Sequence, residues 1–158
     1  MTLKLSDIAF AVAFAFATAA QAQTTASDRK AKDMEEDKIE AQAKVDKARC
    51  DGLKANAKDI CMAEAKGKEK VAKAELDAKY ATDTPKAQRK VQEAKAEAAY
   101  EVAKQKCDDQ KGDAKDACVK QAKAERDQAK GKAQTAEKRD EQRAATGGTA
   151  REQPKRNP

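Results

Sequence analysis

Four cysteines are the residues of this chain whose type and spacing could do chemistry, and they fall in two matched windows. Cys50-Asp-Gly-Leu-Lys-Ala-Asn-Ala-Lys-Asp-Ile-Cys61 is followed, 57 residues later, by Cys107-Asp-Asp-Gln-Lys-Gly-Asp-Ala-Lys-Asp-Ala-Cys118, with ten residues between the members of each pair. Redox exchange would call for Cys-x-x-Cys, and a four-cysteine zinc site for thiolates in short Cys-x₂₋₄-Cys steps; neither pattern occurs. The chain has no histidine, so the Ser-His and Cys-His nucleophile arrangements are excluded, together with the commonest zinc ligand. Asp51, Asp108 and Asp109 stand beside the cysteines, but neither window has the spacing of a calcium loop. Tyr80 and Tyr100, at helical spacing, read as packing residues rather than stacking platforms. Gly147-Gly148, with no strand before it and no helix after it, reads as a linker and not a phosphate loop. No catalytic residue, metal site or cofactor is expected, and the cysteines read as structural disulfides.

The elements that must position these cysteines follow from their spacing. On an uninterrupted helix, Cys50 and Cys61 would stand about 16 Å apart, whereas a disulfide needs Cα atoms within about 7 Å. If each pair bonds locally, the chain reverses inside each window. Asn56-Ala-Lys-Asp59 and Asp113-Ala-Lys-Asp116 have the form of helix N-caps with an acid three positions on, and each lies at the midpoint of its window. Four cysteines allow three connectivities. Local pairing is favoured by the midpoint caps, and cross-unit pairing stays open if both turns share one end of the molecule.

The N-terminus has the form of an export signal. Lys4, the apolar run from Ile8 to Ala20 and the small-residue site Ala20-Gln21-Ala22 predict a signal peptide over 1–22; the run is shorter than the ~20 residues a transmembrane helix needs. Export places the chain in an oxidising compartment, where two disulfides are the natural state of an even cysteine count. All three phenylalanines lie in this leader and there is no tryptophan, while 39% of residues are charged. A thick core is therefore excluded. Alanine, lysine and glutamate are strong helix formers, so the expected fold is helices that touch through alanine.

The periodicity places four helices. Ser27 can cap a first helix to about Ala55, with Ile39, Ala43, Asp46, Cys50 and Leu53 on one stripe. A second runs from Ala57 to about Ala81 with Ile60, Ala63, Gly67, Val71, Ala74 and Ala78 aligned; its small residues allow close approach across the stapled pair. Thr84 can cap a third, with Pro85 at its first position, extending to about Lys111 through Val91, Ala98, Val102 and Cys107. Asp113 caps a fourth to about Ala144, which should fray beyond Cys118 because Val119 is its last large apolar residue and Gly131 weakens it. Acid-first pairs at four-residue spacing, Glu40/Lys44, Glu64/Lys68, Glu69/Lys73, Glu75/Lys79 and Asp116/Lys120, add about 0.2–0.5 kcal/mol each to the helices.

The expected fold class is thus all-α: two tandem disulfide-stapled hairpins, 23–81 (turn near 55–56) and 82–144 (turn near 112–113), forming four antiparallel helices as a bundle or an extended, coiled-coil-like array. Residues 145–158 read as a disordered basic tail. The repeat spans a whole hairpin, since Val45-Asp-Lys-Ala-Arg-Cys50 matches Val102-Ala-Lys-Gln-Lys-Cys107 and Ala57-Lys-Asp-Ile-Cys61 matches Ala114-Lys-Asp-Ala-Cys118.

The segment Lys70-Val-Ala-Lys-Ala-Glu-Leu-Asp-Ala-Lys-Tyr80, the Thr84-Pro85 joint and the duplicated cysteine window together resemble a group of small exported proteins of Gram-negative, especially beta-proteobacterial, genomes, labelled cell envelope biogenesis protein TolA-like. The resemblance covers about Lys44 to Lys130. It implies a helical envelope protein, and it brings no catalytic or binding residues with it.

Charge completes the reading. The net +6 is the small difference between 34 basic and 28 acidic residues, so the helices are mixed-charge surfaces. Arg143, Arg151, Lys155 and Arg156, against Glu152, make the tail the one basic patch. The expected function is a non-enzymatic periplasmic role, structural or protein-interacting, with an unidentified envelope partner. The alternatives are binding of an anionic surface such as lipopolysaccharide or anionic lipid through the tail, or a small periplasmic chaperone needing Leu53 and Ile60. Export and the interspersed acids disfavour nucleic acid.

Overall fold

The computed structural model describes the backbone over residues 16–146 and the side chains over residues 26–146. Four helices follow one another: α1 Phe16–Arg49, α2 Ala55–Lys79, α3 Thr84–Cys107 and α4 Gly112–Ala145, with a 3-10 turn at Cys50–Gly52. Among the described residues there is no strand, and no helix is long and apolar enough to cross a membrane. The fold is all-α, two stapled hairpins in tandem. Of the expected leader, residues 1–15 lie outside the described residues; nearly all of the tail, including Arg151, Lys155 and Arg156, does too.

The helices lie side by side in chain order. α1 packs on α2, α2 on α3 and α3 on α4, and among the described residues α1 touches neither α3 nor α4, nor does α2 touch α4. Neighbours run antiparallel, so both stapled turns sit at one end and the Tyr80–Asp83 connector at the other. The arrangement is an open array rather than a closed ring of four. Its inner helices, of 25 and 24 residues, are flanked by outer helices of 34 each. The outer two overrun the connector at the same end.

Alanine makes the contacts. Ala43, Ala65, Ala87, Ala94, Ala96, Ala122 and Ala133 are buried, with Leu76 and Val91 the larger aliphatic residues among them; the largest fully buried side chains are Cys50 and Cys107. Gly67 brings α2 and α3 together, since a Cβ there would stand 3.0 Å from the Cβ of Ala98. Its close approach is therefore to α3, and not across the stapled pair to α1 as the stripe alone implied.

The helix boundaries correct several expectations. Ser27 lies inside α1, which begins at Phe16 and stops at Arg49 rather than Ala55. Neither Asn56 nor Asp113 is a cap: the cap positions are Lys54 and Lys111, both extended and without a side-chain cap bond. The chain reverses at a left-handed residue inside each expected turn, Ala55 at φ 48° in the first unit and its repeat equivalent Gly112 at φ 56° in the second, and it is the caps that fall two residues earlier than expected. Asp83 rather than Thr84 caps α3, its side chain accepting from the Lys86 amide at 3.1 Å. α4 is continuous to Ala145, because polar contacts described below hold it where apolar ones are missing.

Ala55 and Gly112 form a matched experiment. The left-handed conformation costs an L-residue about 1–2 kcal/mol, while glycine's extra unfolded-state freedom gives back about 0.4–1 kcal/mol. Ala55→Gly should raise stability by roughly 0.5–1 kcal/mol, and Gly112→Ala should lower it by a similar amount. Opposite shifts of the urea midpoint at unchanged slope would show it; a loss of stability in Ala55→Gly would contradict it.

Candidate functional site

The staple end gathers most of the residues singled out by spacing. Cys50–Cys61 and Cys107–Cys118 are the two disulfides, with Cα separations of 5.6 and 5.7 Å, and no cysteine is free. Pairing is local. The two turns are tied to each other by Asn56, whose amide donates to the Gln105 carbonyl at 2.9 Å and to Asp109 Oδ1 at 2.7 Å. The residue expected to cap a helix instead bridges the two hairpins.

The acids beside the cysteines have specific partners. Lys58 Nζ stands 3.2 Å from Asp51, and Lys115 Nζ 2.8 Å from Asp108. These are the same pair in the two repeats, each linking the end of one helix to the first turn of the next. Asp108 raises the Lys115 pKa by accepting its hydrogen bond. Among the described residues no three His, Cys, Asp or Glu side chains gather as a metal cradle.

Away from the turns, ion pairs cross between helices. Lys32–Asp77 at 2.6 Å, Glu40–Lys73 at 2.9 Å and Lys47–Glu69 at 2.6 Å join α1 to α2, with Lys79 on Glu35 beside them. Glu75–Lys95 at 2.8 Å joins α2 to α3. Of the expected intrahelical pairs, Glu69–Lys73 forms, at 3.6 Å; Glu40, Lys79 and Glu75 turn to the neighbouring helix because antiparallel packing offers a closer opposite charge.

α3 and α4 are joined by the contacts that keep α4 from fraying. The Arg126 guanidinium lies 4.4 Å from the centre of the Tyr100 ring, Lys130 Nζ stands 3.0 Å from Glu97, and Arg89 Nε stands 2.7 Å from Glu137. Tyr100 is thus a half-buried platform for an internal cation. Tyr80 donates its hydroxyl to Glu35 at 3.2 Å, and burial pushes its pKa up. Both tyrosines act between helices.

The described surface carries a broad apolar groove. It runs between α2 and α3, with Val71, Ala72, Ala98, Val102 and Ala103 along it and Glu64, Lys68, Glu75 and Lys106 at its rims, and has a volume of about 650 Å³. Leu53 is 41% exposed at the staple end and Ile60 is half-buried. Arg143 stands exposed near the end of α4, 3.9 Å from Asp140. Comparison with known proteins adds no assignment: no protein-family model, no curated protein and no solved structure matches the chain.

The interhelical carboxylates make stability depend on pH with a definite sign. Hydrogen bonds from Lys79, Lys73, Lys47 and Lys130 hold Glu35, Glu40, Glu69 and Glu97, respectively, below the usual carboxylate range. A depressed folded-state pKa contributes stability above the unfolded value, near 4.3, and that contribution is lost as pH falls through the folded value. The melting temperature should therefore be level between about pH 5 and about pH 9 and fall below about pH 4.3, and Glu97→Gln should flatten part of the fall. A melting temperature that rises on acidification would contradict the assignment.

Proposed function

We propose that this chain is a non-enzymatic helical protein of the cell envelope that works in the periplasm, structurally or by holding a protein partner. The observation that carries the reading is the side-by-side array itself, which leaves its broad faces exposed and covers them with mixed charges around an apolar groove. Such faces suit an interaction role, with the apolar strip excluding water and the rim charges setting orientation. The two formed disulfides suit an oxidising compartment. Kinship with the TolA-like exported group is part of the proposal and rests on the duplicated cysteine window and the Ala/Lys-rich helices.

The test is fractionation and crosslinking in a Gram-negative host, using the full chain with a C-terminal tag and its own N-terminus. The expected outcome is a periplasmic protein with no alkylatable thiol and a reproducible crosslink to an envelope component. A cytoplasmic protein carrying four free thiols would overturn it. Loss of all crosslinks on deleting residues 145–158 would transfer the role to the tail and to an anionic surface.

A further inference from the structure

The 57-residue repeat has a consequence at the two edges of the array. The joint between the repeats is the packing of α2 on α3, centred on Gly67 against Ala98. On α3, Val91 and Val102 share that stripe with Ala98, at helical spacing. Their equivalents one repeat earlier are Met34, Ala41 and Val45 on α1, so the outer face of α1 carries the counterpart of the surface that α3 buries against α2. Among the described residues nothing covers it. Met34 is 54% and Val45 49% exposed, two of the three exposed large apolar residues among the described residues, and Ala41 is exposed as well.

The opposite edge carries the other half. Ile60, Ala63, Gly67, Val71, Ala74 and Ala78 form the stripe of α2 that includes the Ala98 contact; one repeat later they become Ala117, Lys120, Ala124, Gln128, Gly131 and Thr135 on α4. All six are exposed, Lys120 is the one charged residue among them in a chain that is 39% charged, and a Cβ added at Gly131 would meet nothing within 4 Å. One edge is a surface without its partner, and the other is that partner's counterpart.

We propose that α4 of one copy docks antiparallel on the outer face of α1 of the next copy, head to tail, repeating between molecules the α2–α3 joint found within one. A heterologous contact of this kind does not close on itself and adds copies in a line, as in repeat arrays whose end units lack a polar cap. The intermolecular joint is weaker than the internal one. Asp37 stands where Ala94 is buried, and the Glu75–Lys95 ion pair becomes Lys132 facing Lys38. Assembly is accordingly reversible and dependent on concentration. The proposal stands on the repeat and on exposure, independently of the compartment in which the protein works.

The register makes the test specific. Ala124 and Ala41 take the places of Gly67 and Ala98, so cysteines there would come within disulfide reach. In the full chain with its native disulfides oxidised, Ala41→Cys in one preparation is mixed with Ala124→Cys in another under mild oxidation. A disulfide-linked heterodimer is expected. Ala41→Cys mixed with Thr135→Cys, eleven residues and about 16 Å further along α4, should give none. Adding Val45→Lys to the Ala41→Cys chain should abolish the heterodimer while leaving the helical circular dichroism unchanged, since Val45 is a surface residue. A heterodimer yield no greater than that of the Thr135→Cys control would overturn the proposal. So would preferential Ala41→Cys homodimers, which signify closed α1-to-α1 pairing.

Discussion

Reduction of the two disulfides is expected to abolish the cooperative thermal transition at physiological temperature, or to lower it far more than any single side-chain change described here. Each staple closes a loop of about a dozen residues and restricts the unfolded chain by about 3 kcal/mol. Together they amount to about 6 kcal/mol, against a total stability of about 5–15 kcal/mol for an ordinary domain. This chain is expected at the low end of that range for a physical reason: its buried residues are mostly alanine, and its largest wholly buried side chains are Cys50 and Cys107 themselves. The staples are also unequal in what they hold. α1 packs less closely on α2 than the other neighbouring helices pack on one another. Replacing Cys50 and Cys61 by serine should therefore cost about 3 kcal/mol and free α1 selectively, with amide exchange accelerated there and protection kept in α3 and α4. Replacing Cys107 and Cys118 should cost a similar amount but loosen α3 and α4 together. A reduced protein that melts within a few degrees of the oxidised one would refute this division of labour.

The hairpins were legible because the cysteine windows recur with their flanks, and because ten intervening residues cannot be bridged without a reversal. The caps were misplaced by two residues. Asn56 and Asp113 have cap chemistry, but the left-handed Ala55 and Gly112 turn the chain before a cap is needed, and Asn56 is then free to tie the two turns together. Intrahelical spacing also misassigned most of the salt bridges, Glu69–Lys73 apart, since periodicity within one helix is blind to what the next helix presents. The open array left a trace that could have been read. α2 and α3 each need two packing faces, whereas α1 needs one, yet Met34 and Val45 give α1 a second. The α2–α3 groove was not legible, because its shape depends on the angle and separation of two helices whose contact residues are small. Arg126 over Tyr100 was missed for a similar reason: a cation and a ring 26 positions apart carry no local signal.

Gly67→Leu is expected to uncouple the two stapled hairpins without unfolding either. A Cβ at this position would already be 3.0 Å from Ala98 Cβ, 3.6 Å from its Cα and 3.8 Å from its carbonyl oxygen, so further carbons would run into the backbone of α3 and not into a side chain able to swing away. Overpacking of this kind costs about 1–3 kcal/mol or more. In a closed bundle the cost would be shared around the ring. Here α2 on α3 is the one packed joint between the halves among the described residues, and it is spanned otherwise by a short connector and by bonds such as Asn56 to Asp109. Within each half, the disulfide and the interhelical ion pairs are untouched. Unfolding of Gly67→Leu should therefore split into two steps, with exchange protection falling first along the α2–α3 seam while α3–α4 contacts persist. Gly67→Ala brackets the effect: alanine favours an α-helix over glycine by up to about 1 kcal/mol, and the crowding is a few tenths of an ångström against a methyl group, so the two nearly cancel. A single cooperative transition in Gly67→Leu, displaced no further than in Gly67→Ala, would show that the halves are held together by something other than this seam.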